Sequence, residues 1–158
     1  MPLDAAAGGP LFRHILFPTD GSDISQRAAR SAVMLARSLG ARLTALHVIP
    51  PYTPPLPDLS GGYTYVMTET EYERAVRAEA DQMLGAVTDS AAEAGVPCQA
   101  LSVVSGSPWD AIIRTARERG CDAIVMGSHG RKGVSGLLLG SETTKVLTHC
   151  DIPVLVTR

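Results

Sequence analysis

The stretch AIVMGSHGRKGVSGLLLGS, residues 123–141, joins a short apolar run to a segment rich in glycine. From Gly127 to Ser141 it holds five glycines, three serines and two cations. The apolar run has the length and composition of a strand buried in a sheet. Glycine permits tight turns and lets a ligand approach the backbone closely. We therefore expect a buried strand, a loop that can contact a ligand, and then a helix over about residues 141–149.

Strand and helix patterns alternate along the rest of the chain. Apolar runs predict strands buried on both faces, and apolar residues at helical spacing predict helices between them. This alternation is typical of an α/β fold with helices on both faces of a parallel sheet. We therefore predict a single-domain, Rossmann-like α/β fold with a five-stranded parallel sheet. The predicted strands lie over 15–17, 42–49, 98–104, 122–127 and 152–158, and the helices over 22–40, 67–95, 107–120 and 141–149.

Short polar motifs predict where the helices begin. Ser22 or Asp23 can cap the first helix through a side-chain oxygen. Thr70 and Glu73 have the spacing of a capping box at the start of the second. Ser107 is expected to cap the third helix. These motifs set the predicted starts to within a few residues.

Bulk composition limits the classes of partner. The chain has 158 residues, enough for one domain with a substantial core. Apolar residues make up 45% of it, which argues against a disordered chain. Its formal net charge of −2 argues against general nucleic-acid binding, which usually needs a basic excess. No apolar run approaches the ~18 residues of a membrane span. We expect neither a nucleic-acid partner nor a membrane partner.

Cysteine usage and the first residues favour a cytoplasmic location. Cys98, Cys121 and Cys150 are odd in number, widely spaced and free of any CxxC motif, so neither a disulfide framework nor a zinc site is expected. Buried free thiols in a reducing compartment fit this usage. Residues 1–11 lack the basic region and apolar core of a signal peptide. They are expected to form a flexible tail before a domain over 12–158.

Residues 50–68 are expected to form a proline-rich loop. Positions 50–66 hold five of the eleven prolines and three of the four tyrosines. Such a density of proline is incompatible with regular structure. The loop is either a solvated connection or a partly ordered lid beside a ligand site, because long loops in compact domains often have a function.

Two predicted strands end in polar residues that suit a binding site. The first ends in PTDGS, which contains Asp20, and the fourth ends in GSHG, which begins at Gly127. Parallel α/β sheets bind ligands at the carboxyl ends of their strands, where the strand order reverses. If the two strands flank that point, Asp20 and Gly127 face one crevice.

The glycine-rich run has the features of a phosphate site. Successive N–H groups in such a loop form a cradle for anions, and the N-terminus of the following helix adds partial positive charge. Arg131 and Lys132 can add charge, and Ser141 and Thr143 can donate from their hydroxyl groups. Asp20 can accept hydrogen bonds from ribose hydroxyls or reach a metal through water. The residues alone leave open a nucleotide phosphate site or a glycine-rich connector.

Other site motifs are missing from the sequence. No glycine directly precedes a lysine, so there is no Walker-type phosphate loop, and neither GxGxxG nor GxSxG occurs. His14, His47, His129 and His149 show no metal-ligand spacing. They are expected to be structural, with the exception of His129, which lies inside the glycine run.

The spacing of the glycines resembles a known signature. Gly127, Gly130 and Gly140 followed by Ser141 match G-x2-G-x9-G-S/T, the nucleotide-binding signature of the universal stress protein family. ILFPTDGS, ALHVI and PVLVTR are similar to that family's first, second and last strands, so the resemblance covers about 12–158. It implies the sheet order 3-2-1-4-5, with the reversal between the first and fourth strands. The complete signature implies the subgroup that binds ATP.

The resemblance also implies which residues contact the nucleotide. The end of the first strand would line the adenosine, the backbone of Val48 would meet the adenine, and Met126 and Gly127 would border the ribose. The residues after Ser128 and those at the start of the last helix would hold the phosphates. The full set is Pro18, Thr19, Asp20, Val48, Met126, Gly127, Ser128, His129, Gly130, Arg131, Lys132, Gly140, Ser141, Glu142 and Thr143.

Glu142 departs from the family's usual pattern. Binders often carry a small apolar residue after the position of Ser141, whereas this chain has a carboxylate. A carboxylate beside phosphates is unfavourable unless a metal bridges the two or the side chain points away. The expected phosphate contact is therefore the backbone N–H of Glu142.

The implied function is an ATP-binding stress or signalling module that responds to nucleotide. Mg²⁺ would arrive with the ATP phosphates, and Asp20 can reach it only through water. The sequence shows no clear general base for water and no identifiable arginine finger, so little intrinsic hydrolysis is expected. The alternatives are an ATPase or phosphotransferase, and a dimeric scaffold with an empty pocket.

The last strand is expected to form a homodimer. In the order 3-2-1-4-5 it lies at an edge, and 152–157 are apolar, with Pro153 near the start. An exposed apolar edge offers unpaired N–H and C=O groups to another chain. Two copies would pair antiparallel about a twofold axis, as members of the resembling family commonly do. The alternative is an edge covered by the N-terminal tail.

Overall fold

The computed structural model describes residues 9–54, 67–129 and 139–158. They form a five-stranded parallel sheet in the order β3-β2-β1-β4-β5, which confirms the predicted fold class and strand order. The strands are β1 (His14–Pro18), β2 (Arg42–Ile49), β3 (Cys98–Val104), β4 (Ala123–Gly127) and β5 (Val154–Thr157). The helices are α1 (Asp23–Leu39), α2 (Glu69–Glu93), α3 (Pro108–Glu118) and α4 (Ser141–His149).

The core lies in two layers because successive strand residues point to opposite faces of the sheet. Ile15 and Phe17 of β1 belong to the layer under α1 and α2. Leu16 belongs to the layer on the other face, with side chains of α3 and α4. These residues are fully buried. The central strand therefore holds both layers together.

The expectation that all five strands are buried on both faces is wrong for the two outer strands. β3 and β5 each have one neighbouring strand, and exposed or half-buried residues occur along both. Val104 is 59% exposed and Leu155 is 47% exposed. Edge position leaves these strands partly uncovered, although their sequences are as apolar as those of central strands.

The helix starts match the expected chemistry at one of three places. Ser22 caps α1 by accepting from the N–H of Ser25 at 3.2 Å. The capping box of α2 was predicted two residues too late: it joins Thr68 and Glu71, and the predicted Thr70 lies inside the helix. The motif T-x-x-E occurs twice in a row here, and only the first copy precedes the helix.

Ser107 is the N-cap residue of α3, as predicted, but its side chain makes no capping bond with the described residues. The expected buried thiols are confirmed for Cys121 but not for Cys98 and Cys150, which are half-buried; all three are free.

Among the described residues, none of the helices combines the length and the apolarity needed to cross a membrane.

The sheet order creates a crevice at the carboxyl ends of β1 and β4. These two strands are neighbours, but the chain leaves β1 toward β2 and β4 toward β5, in opposite directions. The connections that follow them diverge, which opens space between their ends.

Candidate functional site

A cavity of about 740 Å³ opens at this crevice. The structure brings together residues from both predicted strand ends and from the start of α4. Eleven of the fifteen predicted site residues line it: Pro18, Thr19, Asp20, Val48, Met126, Gly127, His129, Gly140, Ser141, Glu142 and Thr143. Ser128 does not line it, and Gly130, Arg131 and Lys132 lie outside the described residues.

The wall that follows β1 is held by hydrogen bonds within a tight turn. The Thr19 N–H donates to the Leu46 carbonyl at 2.8 Å, and the hydroxyl groups of Thr19 and Ser25 are 2.8 Å apart. Asp20 Oδ1 accepts from the Ser22 N–H at 3.0 Å. The turn therefore fixes the Asp20 carboxylate at the cavity and links it to the capped start of α1.

His47 on β2 joins this wall, although no sequence motif indicated that it belongs to a site. Its Nδ1 is 2.8 Å from the Thr19 carbonyl oxygen. A carbonyl only accepts, so Nδ1 carries the proton. The bond locks the imidazole beside Val48, and both residues line the cavity. His47 thus holds the ends of β1 and β2 together at the site.

Gly127, at the end of β4, is close-packed in the opposite wall. A Cβ at this position would lie 3.1 Å from Ile24 Cγ2 and 3.4 Å from the His129 carbonyl oxygen. Thr143 on α4 donates its hydroxyl to the Gly127 carbonyl at 3.0 Å. Glycine therefore lets Ile24 of α1 approach the end of β4.

Ser128 lies behind this wall and ties the ends of the glycine-rich run together. Its N–H donates to the Thr157 carbonyl at 2.8 Å, and its own carbonyl accepts from the Gly140 N–H at 2.7 Å. The residue is buried. These backbone bonds hold Gly140, the N-cap of α4, beside the end of β4.

His129 is the one histidine that the sequence placed at the site, and it lines the cavity. Its Nδ1 lies 3.0 Å from the Ser128 hydroxyl oxygen. Its Nε2 is buried and has no hydrogen-bond partner among the described residues.

The Glu142 carboxylate bonds to the start of α3 and to Lys145 on its own helix. Oε2 accepts from the backbone N–H of Trp109 at 2.8 Å, and Oε1 lies 3.0 Å from the Lys145 ammonium group. The side chain therefore turns toward the start of α3, and it still lines the cavity. It supplies the cap of α3 that Ser107 does not.

Sequence reasoning missed the contributions of α2 and α3. Val76 and Glu79 reach the cavity from the middle of α2, and Gly106 and Pro108 reach it from the start of α3. The turn SGSP that follows β3 was a usable signal, because it too lies at the carboxyl end of a strand. No comparable signal marks the two residues of α2.

The described residues contain no group of three or more His, Cys, Asp or Glu side chains that could hold a metal ion.

The chain matches the Universal stress protein family over residues 11–158. The chain belongs to this family. The recognition from the glycine signature is confirmed at the level of the family.

Two relatives are 34% identical to this chain. The Thermus aquaticus "Universal stress protein in QAH/OAS sulfhydrylase 3'region" aligns over 148 residues, 94% of this chain and 100% of the relative. Bacillus subtilis universal stress protein YxiE aligns over 150 residues, 94% of this chain and 100% of the relative. The family likeness therefore spans almost the whole of each protein.

Solved structures of the family share the fold. The structure of MJ0577, a universal stress protein of Methanocaldococcus jannaschii, superposes with a TM-score of 0.74 at 27% identity and covers 92% of this chain and 94% of that one. A universal stress protein in complex with cAMP superposes with a TM-score of 0.68 at 26% identity and covers 93% and 97%. At least one family member with this fold therefore holds a nucleotide.

Proposed function

We propose that this universal stress protein binds an adenine nucleotide, ATP with Mg²⁺, in the crevice cavity. The observation that carries the proposal is the meeting of the β1 turn, the Gly127 wall and the N-terminus of α4 around one cavity of about 740 Å³. Cavities of roughly 300–1,000 Å³ are typical of small-molecule and cofactor sites. The cAMP complex of a family member supports the choice of a nucleotide.

The phosphates are assigned to the start of α4. Gly140 is the N-cap and has no side chain to satisfy the first N–H groups of the helix. Such N–H groups and the helix dipole favour an anion. Ser141, Thr143 and His129 line the cavity next to them. The first N–H groups of α4 and the Ser141 hydroxyl are the donors proposed for the phosphates, whereas the Thr143 hydroxyl already donates to the Gly127 carbonyl.

The nucleoside is assigned to the opposite part of the cavity, between the ends of β1, β2 and β4. Pro18, Val48 and Met126 give it apolar walls, and Thr19 and His47 hold those strand ends in place. Asp20 is placed to accept from ribose hydroxyls. Val76 of α2 adds an apolar contact on the side of the cavity that the sequence did not predict.

Little hydrolysis is expected from this arrangement. Phosphoryl transfer needs a positioned water and charge stabilisation as well as a phosphate cradle. The Glu142 carboxylate already bonds Trp109 and Lys145, and Asp20 Oδ1 already accepts from Ser22. A steady-state rate of phosphate release of about 1 per second or more, typical of enzymes, would instead favour an ATPase.

Two further parts of the proposal concern the whole protein. We propose a homodimer through β5, since Leu155 on this edge strand is 47% exposed. The cytoplasmic location also stays a prediction, and it rests on the cysteine usage.

Two substitutions of one residue test the phosphate assignment. Gly140 has φ −60° and ψ 153°, a conformation suited to an N-cap Asp or Asn. Gly140→Asp and Gly140→Asn add nearly the same volume, but only Asp adds a negative charge. We expect Gly140→Asp to weaken MgATP binding by about tenfold or more relative to Gly140→Asn, since the charge would lie beside phosphate. Adenosine should bind both variants equally.

Isothermal titration calorimetry supplies the affinities, and thermal denaturation checks that both variants fold. Equal MgATP affinities for the Asp and Asn variants would refute the phosphate assignment. A wild type that binds neither MgATP nor adenosine would favour the scaffold with an empty pocket.

A further inference from the structure

Glu142 lies where the N-termini of two helices converge. It occupies the first turn of α4, and its carboxylate accepts from the N–H of Trp109 in the first turn of α3 at 2.8 Å. Pro108, which begins α3, has no N–H, and Ser107 makes no side-chain cap in the described part of the chain. Glu142 is therefore the side chain that caps α3 from a different helix.

This cap brings a negative charge to the part of the cavity that would receive phosphates. Pro108, Ser141 and Glu142 all line the cavity. Among the described residues, the cation bonded to the carboxylate is Lys145, whose side chain is 47% exposed, so solvent screens part of its charge. The Glu142 side chain is 36% exposed, so its own charge is less hydrated than that of a fully exposed carboxylate.

The carboxylate cannot simply swing away from the cavity without a loss. Leaving its present position would break the bond to Trp109 and uncap α3. A side-chain oxygen that caps a helix stabilises the helix by satisfying one of its first N–H groups. A bound phosphate chain would therefore meet a carboxylate that is held in place by its role in the fold.

We propose that Glu142 sets the charge selectivity of the nucleotide site: it weakens binding in proportion to the negative charge of the ligand's phosphates. This inference rests on the proposed function. A nucleoside monophosphate carries fewer negative charges past Glu142 than ATP does. Without a divalent cation the site should therefore favour AMP relative to ATP more strongly than a neutral site would. Mg²⁺ bound to the phosphates should reduce the penalty on ATP.

The central test compares wild type with Glu142→Gln. Glutamine keeps a side-chain oxygen that can accept from Trp109 and removes the charge. Calorimetric titrations with adenosine, AMP and ATP are run without divalent cation at fixed ionic strength. We expect the substitution to change the affinity for adenosine by less than about twofold. It should increase the affinity for AMP about threefold and the affinity for ATP about tenfold or more. Adding Mg²⁺ should shrink the ATP effect.

Asp110→Asn is the matched control. Asp110 lies in the first turn of α3, one residue after Trp109, but it does not line the cavity. Asp110→Asn changes the net charge of the protein by the same amount as Glu142→Gln. We expect it to change the three affinities nearly equally and by less than about twofold.

A third variant separates charge from capping. Glu142→Ala removes the charge and the cap together, so it should unfold at a lower temperature than Glu142→Gln yet show the same gradient from adenosine to ATP. If Glu142→Gln changes the affinities for all three ligands equally, or changes none of them, the proposal is wrong. It is also wrong if Asp110→Asn produces the same gradient. If no ligand binds wild type or variants, both this inference and the proposed function are refuted.

Discussion

His14 lies at the amino end of β1, far along the strand from the cavity, and burial controls its charge. The residue is 7% exposed, and its Nε2 is 2.8 Å from the Thr44 hydroxyl oxygen. Burial, and then the nearby Arg42, lower the pKa of its imidazole below 6.5, although Asp122 and a contact with the backbone of Arg119 oppose the shift. The folded protein therefore keeps this histidine neutral at a pH where the unfolded chain would protonate it.

The sign of the effect on stability follows from this shift. The unfolded state binds the proton first, so the free energy of unfolding falls as pH drops below about 6.5 and through the lower pKa of the folded state. We expect wild type to lose more stability than His14→Gln between about pH 7.5 and about pH 5.5. Urea denaturation at both pH values measures the difference. An equal loss in the two proteins would show that His14 does not titrate as its burial requires.

Glycine and histidine show the limit of sequence reasoning at the scale of single residues. The need for glycine at 127 followed from its place after a strand, and the structure explains it by the 3.1 Å approach to Ile24. His47 gave no such signal, because its role depends on a bond to the carbonyl of Thr19, 28 residues away. Glu142 was flagged as unusual, but its partner Trp109 lies on another helix, so the bond was not predictable.

At the scale of elements, the start of α2 offers a direct comparison between two similar motifs. Thr68 caps the helix and Glu71 bonds back to the N–H of Thr68 at 2.8 Å, whereas Thr70 lies within the first turn. We expect Thr68→Ala to lower the free energy of unfolding by about 1 kcal/mol. Thr70→Ala should change it by less than half of that or raise it, because alanine favours helix interiors.

Equilibrium denaturation in urea measures both variants against wild type. The two substitutions remove the same atoms, so the difference between them isolates the cap. If Thr70→Ala proves the more destabilising, the helix begins at the later motif that the sequence first indicated.

The helices and strands were more predictable than the binding site because the sequence patterns that indicate them are local. Apolar runs located the five strands, and the start of α4 was predicted at Ser141, where the structure has it. Local patterns do not report which strand becomes an edge. The edge position of β5 was expected only from the family resemblance, and the exposure of β3 was missed. They also do not report how α2 packs over the sheet, which is why Val76 and Glu79 were not expected at the cavity.

At the scale of the whole molecule, the partly exposed edge strand β5 is the basis for the expected homodimer. Val154 and Val156 pack against the core layer of α3 and α4, and Leu155 faces outward. A lysine at an edge strand disfavours pairing with another chain. We expect wild type to be a dimer at micromolar concentration and Leu155→Lys to be a monomer.

Val104→Lys is the control, since Val104 is an exposed apolar residue on β3 at the opposite edge. It should leave the dimer intact. Multi-angle light scattering decides the matter: a monomeric wild type, or a dimer that survives Leu155→Lys, would exclude this interface.

We propose above all that a nucleotide occupies the crevice between β1 and β4 with its phosphates at the start of α4. The most direct measurement is a titration of ¹⁵N-labelled protein with MgATP, followed residue by residue through backbone amide chemical shifts. We expect saturable shifts around Thr19, Val48 and Gly127, with the largest shifts at 141–143. Arg42 and Cys98, at the amino ends of the strands, should show no shift. Shifts confined to those amino ends, or no saturable shift at all, would contradict it.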